Sequence, residues 1–436
     1  MARDCAVDVL EAVLLRAVPL DEALAYALAE GRGKALSFRD RAFVRLLVMT
    51  VLRRSGELDA VLAGFLSKPL PKDQRRLPLI LRTAAAQLLV LGTKPHAAIS
   101  LAVDQCRRDR RAHRFNKLAN AVLRRAAAEG AAILAAAGGP QRNIPDWLVR
   151  RWQAHYGAET ATRIAIASLG EAPLDISVKS DATGWAERLG GMLLSTGSIR
   201  LSGSGHVEEL PGYADGAWWV QDAAAALPAR LLGSVAGMSV LDLCAAPGGK
   251  TAELAAAGAR VTALDISDTR LGRLRSNLAR LGLDAELVAA DATRWAPGRT
   301  FDAVLLDAPC TATGTIRRHP DILHSKREAD VARLGELQRR LLDRAVHLVA
   351  PGGLLVYATC SLEPEEGEQQ VAALLTRDAG LEHVPITTAE TTALGWPPEW
   401  VSPTGNLRTL PFHTPVGAAP GTGMDGFFAA RIRRRR

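Results

Sequence analysis

Residues 239–265 read SVLDLCAAPGGKTAELAAAGARVTALD. An apolar run closes on Cys244, a turn carrying Gly248 and Gly249 follows, and a helical stretch from 250 leads into a second apolar run that ends at Asp265. Strand, turn, helix and strand in that order make a βαβ unit. The alternation continues through a helix from 268, AELVAAD, FDAVLLD (301–307), a long helix over 327–349 and GLLVYATC (353–360). Short apolar runs alternating with helices predict a mostly parallel, doubly wound sheet.

Upstream of residue 235 the pattern is different. Residues 3–66 place Val9, Leu10, Val13 and Leu14, then Phe43, Leu46, Leu47 and Leu52, at three-to-four spacing, with Ser37 as a helix N-cap. Helical stretches follow over 77–92, 99–109 and 116–130, broken by Pro69, Pro71 and Pro95. Residues 126–145 have a linker composition ending in GGPQRNIP; 144–157 read as one helix and 173–180 as a short strand. The 436 residues are enough for two or three domains, and 48% hydrophobic with 23% charged residues describes an ordered globular chain.

Charge is unevenly placed. Residues 1–130 hold 23 Lys and Arg against 13 Asp and Glu, a net of +10, which leaves −2 for the remainder. A basic front points to a polyanion, most simply nucleic acid; the plainer alternative is a solubility surface. Within it CRRDRRAHR (106–114) packs five arginines into nine residues, and Arg107, Arg108, Arg110 and Arg111 are expected to meet RNA phosphates. Early charges at Arg3, Asp4, Asp8 and Glu11 break any signal-peptide core, and no uncharged apolar run approaches the ~18 residues of a membrane span. A cytoplasmic chain that touches no membrane is expected. The five cysteines, at 5, 106, 244, 310 and 360, form no CxxC pair, so neither metal nor disulfide is expected.

In open α/β sheets ligands bind beyond the carboxyl ends of the strands. Cys244 with its glycine turn, Asp265, Asp291, Asp307 with Cys310, and Cys360 all stand at such ends. A phosphate loop needs glycine where Cys244 stands, and GxGxxG is absent. S-adenosylmethionine, which has a ribose for Asp265 but no phosphate, fits both facts. Helix capping is the alternative for Asp265 and Asp291, and a small buried hydrophobe is the alternative for either thiol and the favoured reading for Cys5 and Cys106. A thiol adding to cytosine C6 makes C5 reactive toward a methyl donor, and a base must then take the C5 proton. Spacing alone does not say which of Cys310 and Cys360 attacks.

LDLCAAPGGKT (241–251), DAPCTATGTIRRHPD (307–321), YATCSLEPEE (357–366) and DGFFAARI (425–432) resemble the motifs of RNA cytosine-C5 methyltransferases, specifically bacterial small-subunit rRNA enzymes of the Sun/Fmu type. RDRAFVRLLVMTVLR (39–53) and FNKLANAVLRR (115–125) resemble the NusB-like RNA-binding domain those enzymes carry. The resemblance covers nearly the whole chain and is weakest over 158–215, where PLDISVKSD lacks an Arg-Val-Asn pattern.

It implies an all-α NusB-like domain over 1–130, a linker and small RNA-binding subdomain over 131–215, and a Rossmann-like class I S-adenosylmethionine-dependent methyltransferase domain over 216–436. It further implies that Cys244, Ala245, Ala246, Pro247, Gly248, Gly249 and Lys250 cradle the methionine part of the cofactor, Asp265 its ribose and Asp291 its adenine. Asp307 then adjoins both methyl donor and cytosine, with Lys250 a second partner for the base. Cys360 becomes the nucleophile and Cys310 the residue assisting release; Arg317 and Arg318 of RRHPD are expected at substrate phosphate, with a capped solvated loop as their alternative. The partner implied is 16S rRNA, met by a monomer. A tRNA substrate, or a non-catalytic RNA-binding or antitermination factor, are the alternatives.

Overall fold

A computed structural model describes all residues except 72, 137, 204 and 205. The chain divides into two compact units, Met1–Leu169 with Arg318–Lys326, and Gly170–Arg317 with Arg327–Arg436.

The first unit is helical. Its helices include Ala2–Arg16, Phe38–Arg53, Arg76–Leu89, Pro95–Arg108 and Asn116–Ala136. Ser37 caps Phe38–Arg53 as expected, its Oγ accepting from Asp40 N at 3.2 Å. The apolar stripes read from sequence converge: Val9, Leu10, Leu47, Leu52, Leu58 and Leu123 are each at most 1% exposed in one core. Burying each such leucine contributes about 1.5–3 kcal/mol.

The linker expected from residue 126 is corrected, because the helix continues to Ala136. Alanine is the strongest helix former, and Gly130 lets this helix close on Leu89, whose Cδ2 would lie 3.0 Å from any Cβ added there. A further helix, Ala158–Leu169, completes the sequence-continuous part. Arg318–Lys326 is also built into this unit. Leu20 N donates to Asp321 Oδ2 at 3.2 Å, His324 Nε2 donates to Leu52 O at 2.9 Å, and Ile322 and Leu323 are buried.

The second unit holds two sheets. A small antiparallel sheet contains β1 (Leu174–Val178), β2 (Met192–Leu193), β3 (Ile199–Leu201) and β4 (Trp218–Val220) in the order β2-β3-β1-β4. The large sheet contains β5 (Ser239–Leu243), β6 (Arg260–Asp265), β7 (Glu286–Ala289), β8 (Phe301–Asp307), β9 (Val349–Thr359), β10 (Leu381–His383), β11 (Leu407–Thr409) and β12 (Phe427–Arg434). Its order is β10-β12-β9-β8-β5-β6-β7, with β11 paired to β12. β7, β6, β5, β8 and β9 are parallel neighbours, and β12 runs antiparallel beside β9.

Apolar side chains leave both faces of this sheet. Val240, Ala263 and Leu305 enter one core, and Leu241, Leu264 and Leu306 the other. That two-faced burial is why the strands read as continuous apolar runs. Strand order reverses beside β5, between β6 and β8, so the carboxyl end of β5 is the switch point.

Candidate active site

The parallel register of β8 and β9 sets Asp307 opposite Ala358. Three residues beyond the one and two beyond the other, Cys310 and Cys360 come together with their Sγ atoms 3.4 Å apart. Gly314 pins the two loops. Its N–H donates to Cys360 O and its carbonyl accepts from Gly426 N, each at 2.9 Å. Gly426 O would lie 2.0 Å from a Cβ at residue 314, so only glycine fits there. The Cys310 thiol is held well above its ordinary range, first by its hydrogen bond to Cys360 and then by burial.

Beside the thiols, Lys250 Nζ donates to Asp307 Oδ2 at 2.7 Å and sits 5.0 Å from the Phe427 ring centroid. Burial alone would lower the Lys250 pKa, but the Asp307 carboxylate outweighs it and keeps the ammonium charged. Lys250 belongs to the helix Gly249–Ala256 that the glycine turn launches. Cys244 and Gly248 take left-handed conformations in that turn, with φ 62° and 105°. A Cβ on Gly248 would come 2.6 Å from Leu274 Cγ. The Cys244 thiol is pushed up by burial and then by Asp265, which leaves it inert as a nucleophile.

Asp265 is 2% exposed and accepts from Ala246 N at 3.1 Å, Ser267 N at 2.9 Å and Arg270 Nη1 at 3.2 Å. The next helix is capped by Ser267, whose Oγ accepts from Arg270 N, so Asp265 is not its cap. Asp291 is more exposed and binds Thr293 locally, through N at 2.9 Å and Oγ1 at 2.7 Å. Those two bonds pull its carboxyl below the usual range.

Asp242 was missed from sequence, although a lone carboxylate inside VLDL is itself a signal. Its Oδ2 accepts from Thr251 Oγ1 at 2.6 Å, while Oδ1 is buried with no hydrogen-bond partner among the described residues. An orphaned acceptor, a turn that excludes a Cβ and carboxylates at successive strand ends suit a cationic amino-acid ligand carrying a ribose.

Burial, opposed by the Thr251 bond and reinforced by Asp307, pushes the Asp242 carboxyl up to about 7. A folded-state pKa above the ordinary one stabilises fully below the ordinary carboxylate range, and that contribution is lost as pH rises through about 7. Asp242→Asn cannot ionise. Urea unfolding at pH 5 and pH 8 is expected to give a stability difference smaller by about 2–4 kcal/mol than the parent protein's. An unchanged difference would mean that Asp242 is ionised throughout.

The arginines divide. Arg107, Arg108, Arg110 and Arg111 are exposed, the first two in surface pairs with Asp104 and Asp4 at 3.2 Å. Arg318 is half-buried in the first unit. Arg317 corrects the expectation. It is 2% exposed, and its guanidinium donates to Asp425 Oδ1 at 2.9 Å and Asp222 Oδ2 at 2.5 Å. Its charge is matched inside the protein and offers nothing to a phosphate. Cys5 and Cys106 are fully buried in the helical core, the plainer reading made for them.

Fold and site together define a methyltransferase. Residues 229–433 match the 16S rRNA methyltransferase RsmB/F family and residues 1–128 the NusB family. Ribosomal RNA small subunit methyltransferase B of Klebsiella pneumoniae is 36% identical over 419 residues, 92% of each chain. The protein of the same name from Xanthomonas campestris is 38% identical over 365 residues, 80% of this chain and 82% of that one. Among solved structures, PH0851 has the same fold with a TM-score of 0.75 at 23% identity, over 99% of this chain and 98% of that one. A methyltransferase homolog protein from Pyrococcus horikoshii is 30% identical with a TM-score of 0.54, over 65% of this chain and 93% of that one. The chain belongs to the RsmB/F family of 16S rRNA methyltransferases.

Proposed function

We propose that the protein methylates cytosine C5 in 16S rRNA with S-adenosylmethionine, through a covalent bond between Cys360 and C6. The observation that carries this reading is the pair of thiols 3.4 Å apart beside the Lys250–Asp307 pair. When bound, S-adenosylmethionine supplies an electrophilic methyl group. Asp242, the 244–250 turn and Asp265 would hold it, and Asp291 its adenine.

Cys360 adds to C6, and the C5=C6 electron pair becomes available at C5 for the methyl group. The Lys250 ammonium, together with a proton shared between Asp307 and ring N3, offsets the negative charge that addition builds on the pyrimidine. Removal of the C5 proton then re-forms the double bond and expels Cys360. Cys310 suits that task. Its sulfur lies 3.4 Å from that of Cys360 and, once its own proton has passed to solvent, the Cys310 thiolate can take the C5 proton as Cys360 leaves.

The exposed arginines at 107, 108, 110 and 111 would track RNA backbone; the surface pairs of Arg107 with Asp104 and Arg108 with Asp4 are weak enough to yield to phosphate. Bisulfite sequencing of RNA from cells lacking the gene tests the assignment. One small-subunit rRNA cytosine is expected to lose its protection. Loss confined to tRNA would change the substrate, and loss nowhere would leave a non-catalytic RNA-binding factor.

A further inference from the structure

Glu366 lies in SLEPEE, an acidic stretch that sequence alone would place at the surface, yet it is 0% exposed. Its carboxylate sits between the two cysteine loops. Thr311 N donates to Oε1 at 3.0 Å and Oε2 at 3.2 Å, and Thr311 Oγ1 donates to Oε2 as well. Ser361 Oγ donates to Oε2 at 2.5 Å. Gln338 Nε2 donates to Oε1 at 3.0 Å and, with its other hydrogen, to Pro309 O at 2.9 Å.

Each protein contact has a position relative to a thiol. Thr311 follows Cys310, Pro309 precedes it, and Ser361 follows Cys360. One carboxylate therefore binds the residue after each thiol directly, and reaches the residue before Cys310 through Gln338. The Glu366 carbonyl is fixed too, accepting from Tyr357 Oη at 2.6 Å on β9. A buried carboxylate is costly to desolvate unless its acceptor sites are filled, and here four donor groups fill them.

We infer that Glu366 is a positioning residue that sets the separation of Cys310 and Cys360 and so the rate at which the adduct forms and resolves. This rests on the two-thiol reading above. The purely structural alternative is that Glu366 only ties the β9 loop together, in which case thiol spacing would not depend on it.

Two readouts separate these. Diamide takes two electrons and two protons from a thiol pair, becoming the hydrazine as the disulfide forms, so the rate of Cys310–Cys360 closure, followed by peptide mass, reports spacing without RNA. Turnover on 16S rRNA reports the chemistry. Glu366→Ala is expected to keep its circular dichroism and cofactor affinity, to close at least tenfold more slowly, and to lose about 100-fold in kcat with little change in KM for RNA, the scale expected of an ångström of misplacement. Glu366→Gln keeps the reach: its oxygen can serve Thr311 N and Gln338 while the two hydroxyls turn to accept from its amide. It is expected to stay within about fivefold of the parent in both assays.

Closure and kcat at parental levels in folded Glu366→Ala would overturn the inference, as would a loss of kcat with closure unchanged. Should the alanine variant not fold, Ser361→Ala removes one arm and leaves the carboxylate its other donors; a folded Ser361→Ala that closes at the parental rate would overturn it equally. If the parent protein methylates no cytosine yet Glu366→Ala still slows closure, the positioning stands and the proposed function fails.

Discussion

Mixed with 16S rRNA and S-adenosylmethionine, Cys310→Ala is expected to accumulate a protein–RNA adduct that survives denaturing electrophoresis and vanishes on nuclease treatment. Cys360 still adds to C6 and C5 still receives its methyl group, but the thiol that stood 3.4 Å from the attacking sulfur is no longer there to remove the C5 proton. Cys360→Ala is expected to form no adduct and to lose at least ~10³-fold in turnover, as removal of a covalent nucleophile does. The double variant should behave as Cys360→Ala. Adduct appearing only in Cys360→Ala would make Cys310 the nucleophile. If neither variant traps RNA while both lose turnover, the covalent route is wrong.

Arg317→Met is expected to be the most destabilising single substitution outside the cores. Asp222 and Asp425 are buried with it, and Asp222 also accepts from Ala224 N and Asp425 N. Removing the guanidinium takes a shared cation from two buried carboxylates, a loss of about 3–5 kcal/mol, or on the order of 10 °C in melting temperature. Differential scanning calorimetry would register it. Because Arg317 lies in the segment that follows Cys310, the variant should also lose turnover at temperatures where it is still folded. A melting temperature within a degree or two of the parent's would show that the ionic cluster is dispensable.

How much of this was legible beforehand follows from what each signal depends on. β5, β6, β8 and β9 were plain because apolar runs ended in residues with chemistry, and the parallel sheet rule then gathered those ends at one rim. β3 and β4 were not, since three residues such as Ile199–Leu201 and Trp218–Val220 carry no period. Alanine misled in the opposite sense: Ala126–Ala136 looked like linker, although alanine favours helix wherever one face can pack.

Arg317 and Glu366 show the limit for charged residues. Each sat in a run that looked solvated, because the groups that bury them are remote: Asp222 and Asp425 are 95 and 108 positions from Arg317, and Thr311 is 55 from Glu366. Local reading sees the charge and not its partner. The thiol pair escaped that limit because its two halves stand at the ends of adjacent strands.

The assignment of Arg318–Lys326 to the helical unit has a consequence for synthesis of the chain. Domains ordinarily fold as they leave the ribosome, amino-terminal first, at about 5–20 residues per second. Here the helices up to Leu169 emerge long before Ile322 and Leu323, which are buried in the same unit, and before Asp321 and His324, which bond to Leu20 N and Leu52 O. The nascent helical unit must therefore wait, with the seat for those side chains open, for roughly 10–30 s while the first four strands of the large sheet are made. An early stall in translation would leave it incomplete, a natural target for holding chaperones, and the last strands of the sheet would be added to a chain whose first unit has only just closed.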